Sequence, residues 1–373
     1  MTTVPVKKRK RRLRKEFKYG LIGLAILILV ILIFTVFIPS STRRKITKLG
    51  YSKESAVAIM EQKLTNTVLE KEYSEALDEN LKRGIKVADH FDLYYVTTNV
   101  NDEIIHLNDI LLKKGYAKED ALKCFANLSF KEITPLLVFN NVTNMDDYIQ
   151  DVTSHRTIQN VFVKNDYTKY YENVSQVEDA AALDVIVNKY NMISTDYVPD
   201  VVSCSRQYAS EGVELRSEAY EAFKEMEADM LAAGVEGIRG VYITSGYRNA
   251  ELQKELYDRY LNSKGELYAD AYSARPGSSE HQLGLSMDIT ATNKESLEFD
   301  TTEEYAWISV NCHKYGFILR YPASGEKITG YSFEPWHYRY VGEDLATKIY
   351  NSGLTFDEYY ELYMRDYSTA EGK

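Results

Sequence analysis

The chain has 373 residues, a hydrophobic fraction of 45% and a formal net charge of −10, which suits a globular protein of two or three domains. Basic residues concentrate at the N-terminus, so the rest of the chain is strongly acidic; this argues against a nucleic-acid partner, because phosphate binding requires a basic face. The three scattered cysteines include no C-x-x-C pair and exclude a disulfide framework, although one Cys204–Cys312 bridge stays open.

The N-terminal residues predict a membrane anchor. Residues 1–19 hold nine Lys or Arg against one Glu and predict a basic cytoplasmic tail. Residues 20–38 predict a transmembrane helix, because the uncharged apolar run over 21–38 would span roughly 27 Å as a helix. A cleaved signal peptide is the alternative, disfavoured because no small-x-small cleavage site follows. We therefore expect a single-pass membrane protein with its N-terminus in the cytoplasm and everything after residue 40 outside the membrane.

Residues 45–180 predict a mostly helical extracellular module with two similar units. The sequence LGYSKESA at 49–56 resembles KGYAKEDA at 114–121, and apolar residues follow both copies at helical spacing. Two copies are too few for a solenoid, so we interpret the module as a stalk or spacer. His90, His106 and His155 lie here without metal-ligand spacing.

Residues 181–345 mix helix and strand patterns and predict an α+β domain with an antiparallel sheet, followed by a helical tail over 346–373. A strand-like run covers 183–191, and an amphipathic helix follows, with Phe223, Met226 and Met230 on one face and Gly234 as its stop. Further strands are predicted near 241–244, 317–320 and 336–341, and Asn249 is a candidate helix cap.

Four residues in this domain form a candidate hydrolytic centre. His281, Asp288 and His337 can supply three zinc ligands, which leaves a fourth position open. Glu334 can act as the base beside them. Odd spacing would put Glu334 and His337 on opposite faces of a regular strand, so Pro335 predicts that Glu334 lies in the loop before the strand. Taken singly, each of these residue types has a structural role more often than a catalytic one. Only the combination of all four indicates a catalytic site.

The surrounding motifs resemble the VanY-type D-alanyl-D-alanine carboxypeptidases over roughly residues 183–345. They are SGYR at 245–248, SEHQLG at 279–284 with the following Asp288, YGFILRYP at 315–322, ITGY at 328–331 and EPWHYRYVG at 334–342. The resemblance implies a Hedgehog-like α+β zinc peptidase fold, one Zn²⁺ ion and peptidoglycan stem peptides as substrate. It also implies a bacterial, Gram-positive cell membrane as the location, with the catalytic domain outside the cell. It also implies that His281, Asp288 and His337 bind zinc and that Glu334 is the catalytic base. Arg248, with Gln253 and Ser279, would then position the substrate's terminal residue.

Other functions stay open at this point. An L,D-carboxypeptidase of the same family would trim tetrapeptide stems, and a wall-binding module would be non-catalytic, although no candidate catalytic residue is missing. Ser324 and Lys327 match the S-x-x-K of serine carboxypeptidases, but this match lies late in the domain and lacks its partner motifs. The sequence therefore favours a zinc D,D-carboxypeptidase.

Overall fold

The computed structural model describes residues 24, 26–31, 35–36, 38–155, 167–235, 237–292 and 296–367. The chain forms two compact units, which we call the N-terminal unit (residues 1–102) and the C-terminal unit (residues 103–373). This division differs from the predicted change of character near residue 180. The predicted domain limits stay predictions.

The predicted membrane anchor requires a correction. Across the described ranges, no helix combines the length and the apolar character needed to cross a membrane. The helix Ile38–Lys48 carries Arg43, Arg44, Lys45 and Lys48. The predicted single-pass localisation is therefore contradicted, and part of the predicted transmembrane helix over 20–38 lies outside the described residues. The predicted basic tail over 1–19 lies outside the described residues.

The N-terminal unit is helical, as its sequence periodicity predicts. Its helices are α1 (Ile38–Lys48), α2 (Lys53–Glu61), α3 (Thr65–Leu69) and α4 (Glu75–Lys82), followed by a 3₁₀ segment, Ala88–Tyr95. Ser52 caps α2 by accepting a hydrogen bond from the Ser55 backbone N–H, and Ser74 caps α4 in the same way. Ile59, Val68 and Leu77 are fully buried and form the centre of the unit.

Both copies of the sequence repeat adopt the same local structure. In each copy a helix ends, a glycine takes a positive φ, a tyrosine follows, and a new helix begins two residues later. Gly50 has φ of 118° and Gly115 has φ of 101°, a conformation that glycine adopts without steric cost. The first copy lies in the N-terminal unit and the second in the C-terminal unit.

The C-terminal unit combines helices with a sheet. Its helices are α5 (Asp102–Lys113), α6 (Lys118–Asn127), α7 (Phe130–Ile133), α8 (Met145–Ser154), α9 (Ser217–Ala232), α10 (Ala250–Lys264), α11 (Glu266–Tyr272), α12 (Glu303–Asn311), α13 (Glu326–Thr329), α14 (Glu343–Ser352) and α15 (Phe356–Tyr359). Its strands are β1 (Ser175–Gln176), β2 (Asn191–Met192), β3 (Val202–Ser203), β4 (Glu214–Leu215), β5 (Val241–Ser245), β6 (Ser286–Ala291), β7 (Phe317–Leu319) and β8 (His337–Tyr340). This mixture confirms the predicted combination of helix and sheet.

The strand-like run at 183–191 is a loop, with only its last residue in β2. The Asn188 side-chain carbonyl accepts hydrogen bonds from the backbone N–H groups of Tyr190 and Asn191, at 2.9 and 2.8 Å. These bonds turn the backbone and compete with strand pairing. Cys204 and Cys312 are free thiols, so they do not form the bridge that the sequence left open.

A four-stranded antiparallel sheet forms the centre of the C-terminal unit, in the order β5-β6-β8-β7. Its register pairs Asp288 on β6 with His337 on β8. Met287 and Ile289 flank Asp288 and are fully buried in the hydrophobic core. Because successive side chains on a strand point to opposite faces, the core contacts of these neighbours turn Asp288 to the other face.

The predicted amphipathic helix is α9, and its apolar face covers the sheet. Phe223, Met226 and Met230 are fully buried in the same cluster as Ile243 and Met287. The burial of this face, rather than helix propensity, stabilises the helix against the sheet.

The packing of α9 predicts a clear contrast between two positions on this helix. Phe223→Ala should lower the free energy of unfolding by about 3–5 kcal/mol, because it removes a fully buried ring and leaves a cavity. The control Leu231→Ala, at a side chain that is 46% exposed, should cost less than about 1 kcal/mol. Chemical denaturation of the two variants measures the difference. Equal losses would contradict the assignment of the buried face.

Candidate active site

The sheet and one adjoining turn bring the three predicted metal ligands together. His281 lies on the 3₁₀ turn Glu280–Leu283, Asp288 on β6, and His337 at the start of β8. One ligand atom from each of the three lies within 4.8 Å of the other two. Asp288 Oδ2 lies 3.4 Å from His281 Nε2, and Asp288 Oδ1 lies 3.1 Å from His337 Nδ1. Two imidazole nitrogens and one carboxylate therefore face a common point.

A backbone carbonyl orients the first histidine. His281 Nδ1 lies 2.7 Å from the Gly246 carbonyl oxygen, which can only accept a hydrogen bond. Nδ1 therefore carries the proton, and Nε2 keeps its lone pair for a metal. Gly246 must be a glycine here, since a Cβ at this position would lie 2.3 Å from the Glu214 carbonyl oxygen.

The second histidine, His337, directs Nδ1 rather than Nε2 towards Asp288. His337 Nδ1 faces Asp288, while Nε2 points away and lies 3.7 Å from Glu280 Oε2. Nε2 is buried and makes no direct hydrogen bond within the described chain. Sequence reasoning missed Glu280, which precedes His281 in the same motif but contacts a histidine 57 positions later. Its place next to the candidate ligand His281 was its only signal in the sequence.

Glu334 lies where the sequence predicts, in the turn before β8. Its backbone N–H donates to the Tyr321 carbonyl, and its own carbonyl accepts from the His337 N–H. Pro335 and Trp336 form a turn between them, and this turn brings Glu334 to the same side as His337. Glu334 Oε2 lies 3.7 Å from His337 Nδ1. Burial raises the pKa of Glu334 to about 7, which suits a group that must take up and release a proton.

The electrostatics of the histidines and Asp288 favour a bound cation. Burial and the charge of Arg248 lower the pKa of His281. Burial would also lower the pKa of His337, but Asp288 and Glu280 outweigh it and raise that pKa to about 9. Burial would raise the pKa of Asp288, but the two histidines hold it well below its ordinary value. The carboxylate thus stays ionised and attracts positive charge.

This donor set fits zinc. Zinc in hydrolytic sites takes three protein ligands from imidazole and carboxylate groups and leaves one position open. The two nitrogens and the Asp288 carboxylate could provide these ligands, while Gly246 and Glu280 face the opposite ring nitrogens of the two histidines. Orientation of ligand histidines by such partners is a general feature of metal centres.

The three proposed ligands line a pocket of about 310 Å³, and the predicted substrate-binding residues line the same pocket. Arg248 lines it, and its buried Nε makes no hydrogen bond to any described residue. Gln253 is buried, and its Nε2 donates to the Ser273 hydroxyl and the Ala274 carbonyl, so much of its side chain supports the pocket wall. Ser279 is buried at the pocket edge, next to the turn that holds His281.

Three tyrosines form one wall of this pocket, and sequence reasoning did not single them out. Tyr260 comes from α10, and Tyr268 and Tyr272 come from α11. The rings of Tyr268 and Tyr272 stack at 4.5 Å between centroids, and Tyr260 lies 5.9 Å from Tyr268. The pocket therefore combines a cation site, a guanidinium and an aromatic wall, a combination that suits a peptide with a free carboxylate.

Comparisons of the sequence and the structure with known proteins identify carboxypeptidases as relatives. The family model described as VanY, D-alanyl-D-alanine carboxypeptidase, matches residues 212–343. A D-alanyl-D-alanine carboxypeptidase of Enterococcus faecalis is 37% identical over 188 residues. This match covers 47% of this chain and 64% of the relative, so this chain spans slightly less than two thirds of that relative's length. The putative carboxypeptidase YodJ of Bacillus subtilis is 36% identical over 208 residues, covering 52% of this chain and 75% of the relative.

A solved structure of the LdcB LD-carboxypeptidase is 35% identical and covers 52% of this chain and 92% of that chain, with a TM-score of 0.47. The family match and the His281, Asp288 and His337 group confirm the expectation of zinc as cofactor. The resemblance found in the sequence motifs is confirmed as well: this chain belongs to the VanY family of D-alanyl-D-alanine carboxypeptidases.

Proposed function

We propose that this protein is a zinc D,D-carboxypeptidase that removes the terminal D-alanine from peptidoglycan stem peptides. The observation that carries the proposal is the convergence of His281, Asp288 and His337 beside a buried Glu334, with Arg248 in the same pocket. The finer substrate assignment rests on relatives that are named D-alanyl-D-alanine carboxypeptidases. Peptide hydrolysis at a free C-terminus requires both features of this pocket, a hydrolytic centre and a carboxylate anchor.

Zinc, when bound, supplies Lewis-acid polarisation of the scissile carbonyl and lowers the pKa of a water molecule. Glu334 takes the proton of the attacking water and delivers it to the nitrogen of the leaving D-alanine. Its burial favours both steps, because a pKa near 7 leaves the carboxylate able to accept a proton and then to give it up.

Arg248 would hold the terminal carboxylate of the substrate. Its backbone N–H donates to the His281 carbonyl at 3.2 Å, which joins this residue to the turn that carries a metal ligand. Its Nε has no partner among the described residues, and a planar guanidinium matches a carboxylate through two parallel hydrogen bonds. The distance between anchor and metal would thus select the last peptide bond of a chain.

An L,D-carboxypeptidase that acts on tetrapeptide stems is the second candidate. One similar solved structure is named an LD-carboxypeptidase, so both stereochemical preferences occur among the relatives. Incubation of the protein with defined tetrapeptide and pentapeptide stems, with and without zinc, distinguishes the two by the mass of the products. Zinc-dependent release of D-alanine from the pentapeptide alone supports the D,D assignment, whereas release from the tetrapeptide alone supports the L,D assignment. No release from either stem would contradict the proposed function.

Glu334→Gln should abolish proton transfer while it keeps the shape of the side chain. We expect kcat to fall by roughly 10²–10⁴-fold, the usual contribution of a positioned base. The zinc content should stay at the wild-type level, because Glu334 is not among the three proposed ligands. Elemental analysis and steady-state assays measure the two effects, with the exposed Glu343→Gln as control. Near wild-type D-alanine release by Glu334→Gln would show that Glu334 is not the base.

Arg248→Ala should weaken binding of the terminal carboxylate. Loss of charge-assisted hydrogen bonds worth roughly 1.5–3 kcal/mol should lower kcat/KM by roughly 10–150-fold. Arg248→Lys should recover only part of the loss, because lysine keeps the charge but lacks the planar fork. Arg206→Ala, at an exposed residue paired with Glu211, is the matched control. An unchanged kcat/KM in Arg248→Ala would exclude the anchor role.

A further inference from the structure

Four charged side chains form a buried cluster next to the proposed metal centre, and hydrolysis as described does not use them. They are Glu280, Arg320, Arg339 and Asp357, none more than 2% exposed. Two guanidiniums and two carboxylates balance in charge, so the cluster can remain ionised in the interior. Removing one member of such a cluster is costly, because it leaves an uncompensated buried charge.

Glu280 lies at the centre of this cluster. Its Oε1 accepts hydrogen bonds from Arg320 Nε at 2.8 Å and from Arg339 Nη1 at 3.1 Å. Its Oε2 faces the other way, 3.7 Å from His337 Nε2 and 3.4 Å from the Ser286 hydroxyl. The two arginines therefore set the plane of the carboxylate, and that plane presents Oε2 to the histidine ring.

Asp357 determines how Arg320 is held. Its Oδ2 accepts a hydrogen bond from Arg320 Nη1 at 2.6 Å, which leaves Nε of the same guanidinium for Glu280. A planar group bonded on two edges cannot rotate without breaking one of these bonds. Asp357 is itself fixed, since its Oδ1 accepts from Asn188 Nδ2 at 2.7 Å.

The helix that carries Asp357 is anchored on both sides of this residue. Thr355 and Glu358 form a capping box at the start of α15. Glu358 Oε1 also accepts a hydrogen bond from the Thr134 hydroxyl at 2.7 Å. Thr134 follows α7, so the helical part of the C-terminal unit supports the position of α15. This contact gives residues near 134 a structural connection to the site.

We propose that Asp357 is a positioning residue that acts through Arg320 and Glu280 to orient the imidazole of His337 towards the metal. The proposal rests on the proposed function only in taking His337 as a zinc ligand. The line of contacts from Asp357 Oδ2 through Arg320 and Glu280 to His337 Nε2 uses buried atoms throughout. The C-terminal helix α15 thereby becomes part of the metal centre, although it contributes no ligand.

The test measures zinc affinity of the full chain by competition with a chromophoric chelator, so it needs no substrate. Asp357→Asn should weaken zinc binding by roughly 10–100-fold, the usual effect of losing a partner that orients a ligand. Glu358→Gln removes an acidic group one residue away whose contacts are with Thr134 and Thr355 and not with Arg320, so its loss of zinc affinity should be smaller than that of Asp357→Asn. Asp357→Glu should restore part of the affinity.

A double-variant comparison separates positioning from a general loss of stability. If Asp357 acts through Glu280, Asp357→Asn combined with Glu280→Gln should bind zinc no more weakly than Glu280→Gln alone. Two independent effects would instead multiply. Arg320→Lys, which keeps the charge but cannot bridge both carboxylates, should reproduce the loss and covers the case in which Asp357→Asn does not fold.

Wild-type zinc affinity in Asp357→Asn or in folded Arg320→Lys would overturn the proposal, as would multiplied effects in the double variant. Equal losses in Asp357→Asn and Glu358→Gln would also overturn it, because they would indicate general destabilisation of α15. If the wild-type chain itself binds no zinc, the proposed function fails instead, and the two failures are therefore distinguishable.

Discussion

The backbone pairing of β6 with β8 is the constraint on which the rest of the site depends. It sets Asp288 directly opposite His337, and it can do so only because Met287 and Ile289 fill the hydrophobic core on the other face. A slip of one residue would exchange the two faces and would expose core side chains to the pocket. The hydrophobic packing of the sheet thus fixes the position of two of the three proposed ligands.

The remaining groups are placed by hydrogen bonds rather than by packing. The Gly246 carbonyl orients His281, and the turn at Pro335 returns Glu334 to the side of His337. Behind them lies the cluster of Glu280, Arg320, Arg339 and Asp357, whose charges balance one another. Burial would raise the pKa of Glu280, but the nearby arginines outweigh it and keep this carboxylate ionised. Buried charge of this kind tolerates few changes, and it therefore suits a site whose geometry must stay constant.

Sequence patterns predicted the structure correctly where that structure depends on residues close together in the chain. The period of Phe223, Met226 and Met230 predicted α9 and its buried face, and the mixed patterns predicted a combined helix and sheet fold. Motif content brought together His281, Asp288, His337 and Glu334 before any geometry was known. Patterns were insufficient where distant segments meet. Neither the contact of Glu280 with His337 nor that of Asp357 with Arg320 has a local signal, and the side-chain turn at Asn188 replaced an expected strand. The expected single-pass anchor is contradicted as well, since no helix of the described residues is long and apolar enough to cross a membrane.

Zinc X-ray absorption spectroscopy of the purified full chain is the most direct test of a zinc ion held by His281, Asp288 and His337. We expect one zinc per chain, with scattering from neighbouring nitrogen and oxygen atoms only and with two imidazole ligands. We also expect His337→Ala to remove one imidazole contribution. Sulfur scattering from a cysteine site, or a spectrum unchanged by His337→Ala, would contradict the proposed centre.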